Sequence, residues 1–410
     1  MTLRRFLFFP LCLFILGARS RPASADFKIH DAIEEFGERR YLRPLPARIK
    51  AGPLRVHPLL QTSATFDDNI LRENQDAKRD IVFNIQPGVI LDLPVKRHQF
   101  SLGYQADFEV FSKPRDSRQN SQNQNVFSLI DLNFPDWYIN VLERYAETST
   151  RAGTTFTERI PRRDQSINPK IGYKWRRLTF ETGFRHFDRD FRQQVFDSFD
   201  FQMVEWTNVI FYDFFANLKM LLEHQWAQID YDDAEDRPGT FNQLRIGLEG
   251  KLLPNLTAKI RVGPQFRNYR KSSEPDFYSW VGKATVDYQV RPRLKLYTGL
   301  SREAVEATFQ SVNFYREHLI YFGFEYQIRP TWTLFSEARY YRHDYAERAT
   351  VSGSTMFRRD QHAGAKTGVR YDFREWLEFE LAYEYLHRSS NFDTFEFNEH
   401  TVSLTTALAY

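Results

Sequence analysis

Residues 399–410, the last twelve of the chain, read E-H-T-V-S-L-T-T-A-L-A-Y. Val402, Leu404, Leu408 and Tyr410 share one parity, and mostly small or polar residues occupy the other. A period of two predicts a β-strand with one apolar face. A strand that ends the chain leaves an unpaired edge unless another strand pairs with it. The stretch therefore favours either a closed barrel or the final strand of a soluble β-sandwich.

In a membrane barrel, this last strand would pair with the first strand and turn its apolar residues to lipid. The stretch also resembles the C-terminal signal of bacterial outer-membrane barrels, with a terminal aromatic residue preceded by alternating apolar residues. That resemblance implies that Val402, Leu404, Leu408 and Tyr410 form an assembly signal, with the barrel-assembly machinery as a partner.

Residues 1–25 are typical of an export signal. Arg4 and Arg5 precede an apolar run at 6–16, and Ala23-Ser24-Ala25 forms a cleavage site. The run is too short for a permanent transmembrane helix. Cleavage would remove Cys12, the only cysteine, so the mature protein could form neither a disulfide nor a thiolate site.

The composition fits an exported barrel. The chain has 56 basic and 53 acidic residues, and removal of the signal would leave 52 and 53, which argues against nucleic acid as a partner. Aromatic residues make up 16% of the chain, although the mean hydropathy is −0.56. Membrane barrels combine these properties because they alternate two faces and need aromatic girdles at both interfaces.

Residues 26–53 differ from the rest of the chain. Residues 26–41 are charged, and the Pro-rich sequence L-R-P-L-P-A follows. The segment is either a periplasmic lead-in with one or two helical turns or a small plug inside the barrel. Its shortness favours the lead-in. The predicted organisation is a signal peptide at 1–25, a periplasmic segment at 26–53 and a barrel at 54–410.

From residue 54 onward, tight turns recur about every 40 residues and alternate with longer polar stretches. Eight turns and nine loops predict an all-β, 18-stranded antiparallel outer-membrane barrel. The predicted turns are at 93–96, 134–136, 175–177, 213–215, 253–255, 291–293, 329–331 and 373–375. The predicted loops are 70–79, 113–121, 151–163, 190–198, 231–239, 270–276, 305–312, 345–357 and 390–396.

The best of the predicted strands alternate between apolar and polar residues. In 99–111, for example, Phe100, Leu102 and Tyr104 alternate with Ser101 and Gly103. The polar parity carries many charges, which would be costly in a dry sandwich core, so it should face a water-filled lumen. The residues that this parity assigns to the lumen are Asp107, Glu109, Glu181, Arg185, Arg245, Glu249, Lys259, Arg261, Arg267, Glu378, Glu380 and Glu384.

These lumen charges have two interpretations of similar weight. They form salt-bridge ladders that stiffen the wall, or a cationic arc at 245–267 faces an acidic arc at 378–384 and tunes ion selectivity. Since the interior acids and bases nearly balance, we expect weak selectivity that favours neutral solutes.

The first two strands carry Phe66-Asp67-Asp68-Asn69 and Gln86-Pro87-Gly88-Val89. This pair of motifs resembles the family named putative β-barrel porin type 2, from Gram-negative outer membranes. The resemblance implies export of an exopolysaccharide, with a periplasmic polysaccharide export apparatus as partner. Physically, Asp67, Asp68 and Asn69 are typical of a strand-to-loop exit. A divalent-cation site would need further oxygen ligands.

A search for catalytic residues finds three weak candidates at predicted loops. They are His343-Asp344, Ser352-Gly353-Ser354 and Asp232-Asp233. None has the partner spacing of a hydrolase, and each is better explained as solvated loop residues. The histidines His186, His224, His318 and His362 show no metal-ligand spacing. The sequence therefore predicts neither a cofactor nor an enzyme.

The sequence predicts a porin integral to the outer membrane, in contact with its lipids, that gives a hydrophilic solute passive passage. By resemblance the solute is an exported polysaccharide. The alternatives are a general or nutrient-uptake porin and a barrel hydrolase.

Overall fold

A computed structural model describes residues 49–113, 120–149, 159–232, 239–269, 276–309, 312–351 and 353–410. The predicted signal peptide and most of the segment at 26–53 lie outside these residues. The described part of the chain contains no helix that is long and apolar enough to cross a membrane.

Nearly all of the described residues lie in strands, with two short 3-10 helices, η1 (Gln194–Phe199) and η2 (Asp393–Phe395). The strands are β1 (Ile49–Ala51), β2 (Leu54–Asp67), β3 (Asp80–Val95), β4 (His98–Phe111), β5 (Ser121–Asn133), β6 (Trp137–Thr148), β7 (Arg162–Trp175), β8 (Leu178–Phe191), β9 (Phe201–Phe215), β10 (Leu218–Tyr231), β11 (Gly239–Leu253), β12 (Leu256–Tyr269), β13 (Phe277–Arg291), β14 (Leu294–Phe309), β15 (Val312–Arg329), β16 (Trp332–Val351), β17 (Ser354–Arg374), β18 (Leu377–Ser390) and β19 (Phe397–Ala409).

Strands β2 to β19 pair antiparallel in chain order, and β19 then pairs with β2. The closing register runs from Thr401 opposite Asp67 to Ala409 opposite Leu59. The short strand β1 pairs with β2. The predictions of an 18-stranded antiparallel barrel and of closure between the last and first strands are therefore confirmed.

Seven of the eight predicted turns overlap the connections between consecutive strands; β13 and β14, for example, are separated only by Pro292-Arg293. The turn predicted at 213–215 is wrong, because those residues end β9 and the chain turns at 216–217. The loop predicted at 345–357 is wrong, because β16 and β17 pair as far as Val351 opposite Ser354. The loop at 305–312 is likewise mostly strand. Strand segments that project beyond a membrane have water on both sides, so their polar composition resembles that of a loop.

The two faces of the wall differ as the alternation requires. Ile320 and Phe322 are about half exposed on the outside, and Phe66, Val402 and Leu404 are exposed there too. Inward residues of β2 to β6, such as Leu129, are buried. Short turns mark the periplasmic rim of such barrels and longer loops the extracellular rim, which orients the wall.

Inside the wall, several glycines lie directly under aromatic rings of the neighbouring strand. A Cβ at Gly103 would lie 2.0 Å from the ring of Phe127, and one at Gly172 would lie 2.1 Å from the ring of Tyr138. The missing side chain lets each ring lie flat against the wall, which narrows the lumen less than an upright ring would.

We expect Gly103→Ala to destabilise the barrel by about 1–3 kcal/mol, because the ring of Phe127 must leave its place. Urea unfolding in detergent micelles measures the loss. The control is Gly183→Ala, where the nearest atom would lie 3.8 Å from the new Cβ. Equal stability of the two variants would contradict this account of the ring packing.

Candidate functional site: the barrel lumen

A cavity of about 1740 Å³ lies inside the barrel, lined by inward side chains of strands from β7 to β18. Its wall is mostly polar and charged. The basic lining residues are Lys170, Arg185, Arg189, Arg245, Lys259, Arg261, Arg267, Lys283, Lys295, Arg339 and Lys366. The acidic lining residues are Glu181, Glu249, Asp287, Glu303, Glu325, Glu337 and Glu384.

The structure divides the twelve residues assigned to the lumen by parity into two groups. Eight line this cavity: Glu181, Arg185, Arg245, Glu249, Lys259, Arg261, Arg267 and Glu384. The other four are held in the wall by bonds to neighbouring side chains. Asp107 accepts a hydrogen bond from Asn84, Glu109 is paired with Arg159, and Glu378 and Glu380 lie beside Arg370.

The cationic arc on β11 and β12 is organised around Glu223 of β10, a residue that the sequence analysis did not single out. Glu223 is 1% exposed. It accepts hydrogen bonds from Arg245 Nε at 2.7 Å and from Arg261 Nη1 at 2.6 Å. Arg261 also donates to Glu249 at 3.1 Å. Two guanidinium groups of this arc are therefore neutralised within the wall.

The acidic arc on β18 has counter-charges as well. Arg370 Nε lies 3.3 Å from Glu378 and 3.7 Å from Glu380, and Lys366 lies 3.8 Å from Glu380. Arg339 forms an ion pair with Glu384. Both arcs thus consist largely of salt-bridge ladders that link neighbouring strands. This arrangement favours the interpretation that these charges stiffen the wall.

Three cations that line the cavity have no carboxylate partner among the described residues. They are Arg185 on β8, Lys259 on β12 and Lys283 on β13. Arg185 lies over the ring of Phe187, 5.4 Å from its centroid. Glu303 and Glu337 line the same cavity and likewise have no ion pair among the described residues, so the described wall keeps only a small excess of positive charge.

The motif Asp67-Asp68-Asn69 lies where β2 leaves the wall beside β19. Asp67 accepts a hydrogen bond from the backbone N–H of Asn69 at 2.8 Å, and Asp68 accepts one from the N–H of His400 at 2.7 Å. The side-chain amide of Asn69 donates to the carbonyl of Asn398 at 2.8 Å. These bonds agree with the strand-exit interpretation and also link the first loop to the last strand.

The catalytic candidate His343-Asp344 does not form a dyad. The two residues follow one another on β16, so His343 faces inward and Asp344 outward. His343 Nε2 lies 2.9 Å from Glu317, and Asp344 accepts hydrogen bonds from Arg342 and Arg359. Ser352 and Asp233, from the other two candidates, lie outside the described residues.

Histidines that are distant in sequence do meet in the structure. His343, Asp360 and His362 are buried, with potential ligand atoms within 4.8 Å of one another. Asp360, however, accepts hydrogen bonds from Arg358 and Ser390, both at 2.7 Å. A divalent metal ion would have to displace Arg358, so these groups act first as an ion-paired network. Sequence spacing missed the group because strand pairing assembles it.

At the extracellular mouth, Asp200 follows η1 and lies outside the membrane-spanning strands. Burial, together with the nearby Asp190, Asp197 and Asp232, raises the pKa of this carboxyl to about 6. The hydrogen bond that it accepts from the backbone N–H of Phe191 acts in the opposite direction. The mouth therefore loses negative charge as the pH falls from 7 to 5.

We expect Glu223→Gln to destabilise the barrel by about 1–3 kcal/mol. Removal of a buried carboxylate leaves its partners uncompensated, and lumen water reduces the cost below that of a dry pair. Urea unfolding measures the change. Glu337→Gln is the control, because Glu337 lines the same cavity without an ion pair among the described residues. Equal stability of Glu223→Gln and the wild type would contradict the proposed role of Glu223.

An apolar outer face, a charged inner cavity, and strands joined alternately by tight turns and longer loops define an integral outer-membrane barrel of the porin class. The chain belongs to the family described as Putative beta-barrel porin 2, whose model matches residues 45–410.

Solved porin structures resemble the chain at low sequence identity. OccK2 (OpdF) of Pseudomonas aeruginosa in complex with glucuronate has a TM-score of 0.50 at 9% identity, over 87% of this chain and 98% of that one. OpdK of Pseudomonas aeruginosa with vanillate has a TM-score of 0.49 at 10% identity, over 87% and 99%. The likeness to OccK2 concerns the fold alone. No curated protein sequence matches the chain.

Proposed function

We propose that this porin gives small hydrophilic solutes passive passage across the outer membrane, with a mild preference for anions. The observation that carries the proposal is the lining of the cavity, which has eleven basic and seven acidic side chains. Asp164, Glu223 and Glu380 pair with lining cations from within the wall and reduce this excess, but they do not reverse it. This excess differs from the expectation of a balanced lumen, which rested on the near balance of the acids and bases that parity placed inside and on the near-zero charge of the mature chain.

The preference should be mild because most of the charged groups are paired. A paired guanidinium attracts a passing ion less, since its carboxylate cancels most of its field in water. Arg185, Lys259 and Lys283 are therefore the side chains that would attract a permeant anion most strongly. Rings that line the same cavity, such as Tyr297 and Tyr321, offer apolar faces to organic solutes.

The alternatives have less support. Export of a polysaccharide rests on the family resemblance, and it stays a prediction. The hydrolase alternative loses one of its three candidates, because His343 and Asp344 point to opposite faces of β16.

The test is single-channel recording in a planar bilayer under a salt gradient. We expect the wild type to pass anions slightly better than cations. The double variant Lys259→Gln/Lys283→Gln should lower the anion-to-cation permeability ratio about threefold. Two unit charges about 10 Å from the ion, screened by about 0.1 M salt, shift the energies of the anion and the cation by about 0.3 kcal/mol each, in opposite directions.

The matched control is Glu303→Gln/Glu337→Gln, which should raise the same ratio. A cation-selective wild type, or a ratio that neither double variant changes, would contradict the proposal.

A further inference from the structure

The outer surface of β14 to β17 carries a cluster of arginines above the lipid-facing residues. Strand register places them in two rows. Arg302, His318, Arg342 and Gln361 lie opposite one another in the first row. The second row consists of Ala304, Arg316, Asp344 and Arg359. We call these two rows the basic patch.

The patch lies at the upper boundary of the apolar band. One step toward the periplasm on the same outer face are Leu300 (56% exposed), Ile320 (54%) and Tyr340 (40%). Trp280 also faces outward, and Arg302 lies over its ring at 4.5 Å from the centroid. Exposed aromatics beside aliphatic residues mark the interface of a barrel with its bilayer. The arginines therefore lie at headgroup level.

The positive charge of the patch exceeds what its own acid can balance. Asp344 is the one carboxylate in the two rows, and it already pairs with two of the arginines. It accepts hydrogen bonds from Arg342 at 3.1 Å and from Arg359 at 2.9 Å, and His318 lies 3.9 Å away. The side chains of Arg342 and Arg359 remain 42% and 58% exposed. Four arginines against one aspartate leave guanidinium donors available to an external anion.

On the far side of the barrel, arginines near the extracellular ends of the strands have carboxylate partners. On β7 and β8, Arg163 lies 3.8 Å from Asp188 and 2.7 Å from Asp190. Near these residues, Arg192 pairs with Glu147 at 2.5 Å. Cations there are matched by acids, so the surplus on β14 to β17 is a local property and not a general feature of the rim.

We propose that the basic patch binds the phosphate of a lipid headgroup in the outer leaflet. The planar guanidinium fork matches phosphate oxygens and forms bidentate bonds with them. Basic clusters at a membrane surface attract anionic lipids in the same way. A lipid is favoured over a soluble anion because its acyl chains would pack on Leu300, Ile320 and Tyr340 directly below the arginines.

The test measures lipid binding to the full-length barrel in uncharged detergent micelles by native mass spectrometry and titration. The probe is lipid A, a glycolipid that carries phosphate, and its dephosphorylated form is the comparison ligand. Arg342→Gln/Arg359→Gln should weaken binding of the phosphorylated form about 30-fold. Arg163→Gln/Arg192→Gln, which removes two paired arginines on the far side, should leave binding unchanged.

Gel mobility with and without heating shows whether each variant is folded. If the first double variant does not fold, Arg316→Gln replaces it, with an expected loss of about fivefold. Equal binding of the dephosphorylated glycolipid, or equal losses in the two double variants, would overturn the proposal. Full competition by equimolar inorganic phosphate would show a site for free anions and would overturn the assignment to a lipid.

Discussion

The structure depends on one constraint, which is that a backbone amide in hydrocarbon must find its hydrogen-bond partner within the protein. Each strand from β2 to β19 meets this demand through two neighbours, and the pairing of β19 with β2 removes the last open edge. Closure thereby fixes which parity faces lipid. A shift of one residue in the register would turn the apolar face inward. The bonds from Asp68 and Asn69 to the β19 backbone reinforce this same seam.

The inner face then has to be polar enough to hold water and ordered enough to stay open. Paired charges meet both needs, since a ladder such as Arg245, Glu223 and Arg261 links three neighbouring strands while it keeps the wall polar. Fully balanced ladders would have little influence on permeant ions. Arg185, Lys259 and Lys283 outnumber the acids without an ion pair, Glu303 and Glu337, and give the described wall its slight positive charge. Stiffening and selectivity thus belong largely to different residues of one wall.

Much of the fold could be predicted from the sequence because its two signals are local. Alternation with period two reports the two faces, and turns such as Pro292-Arg293 report the ends of the strands. Strand ends above the membrane could not be predicted, because polar residues face water there whether paired or not. For this reason β16 and β17 run through a stretch that was predicted to be a loop.

The candidate site was less predictable because its contacts join residues that are far apart in the chain. Parity placed Glu384 inside, but nothing in the sequence showed that Arg339, on another strand, would neutralise it. Glu223 was missed for the same reason, and so was the meeting of His343 with His362. Strand register determines which inward charges form ion pairs. Only this pairing shows which of the inward charges are not neutralised.

The most direct test of a wet inner wall inside a lipid-facing barrel is the current through single channels before and after thiol labelling. Lys283→Cys and Ile320→Cys, each in a Cys12→Ser background, would be treated with a bulky, membrane-impermeant thiol reagent. Labelling of the lumen cysteine should reduce the current, and treatment of the lipid-facing variant should leave it unchanged. A barrel that passes no ions, or equal responses of the two variants, would contradict the account.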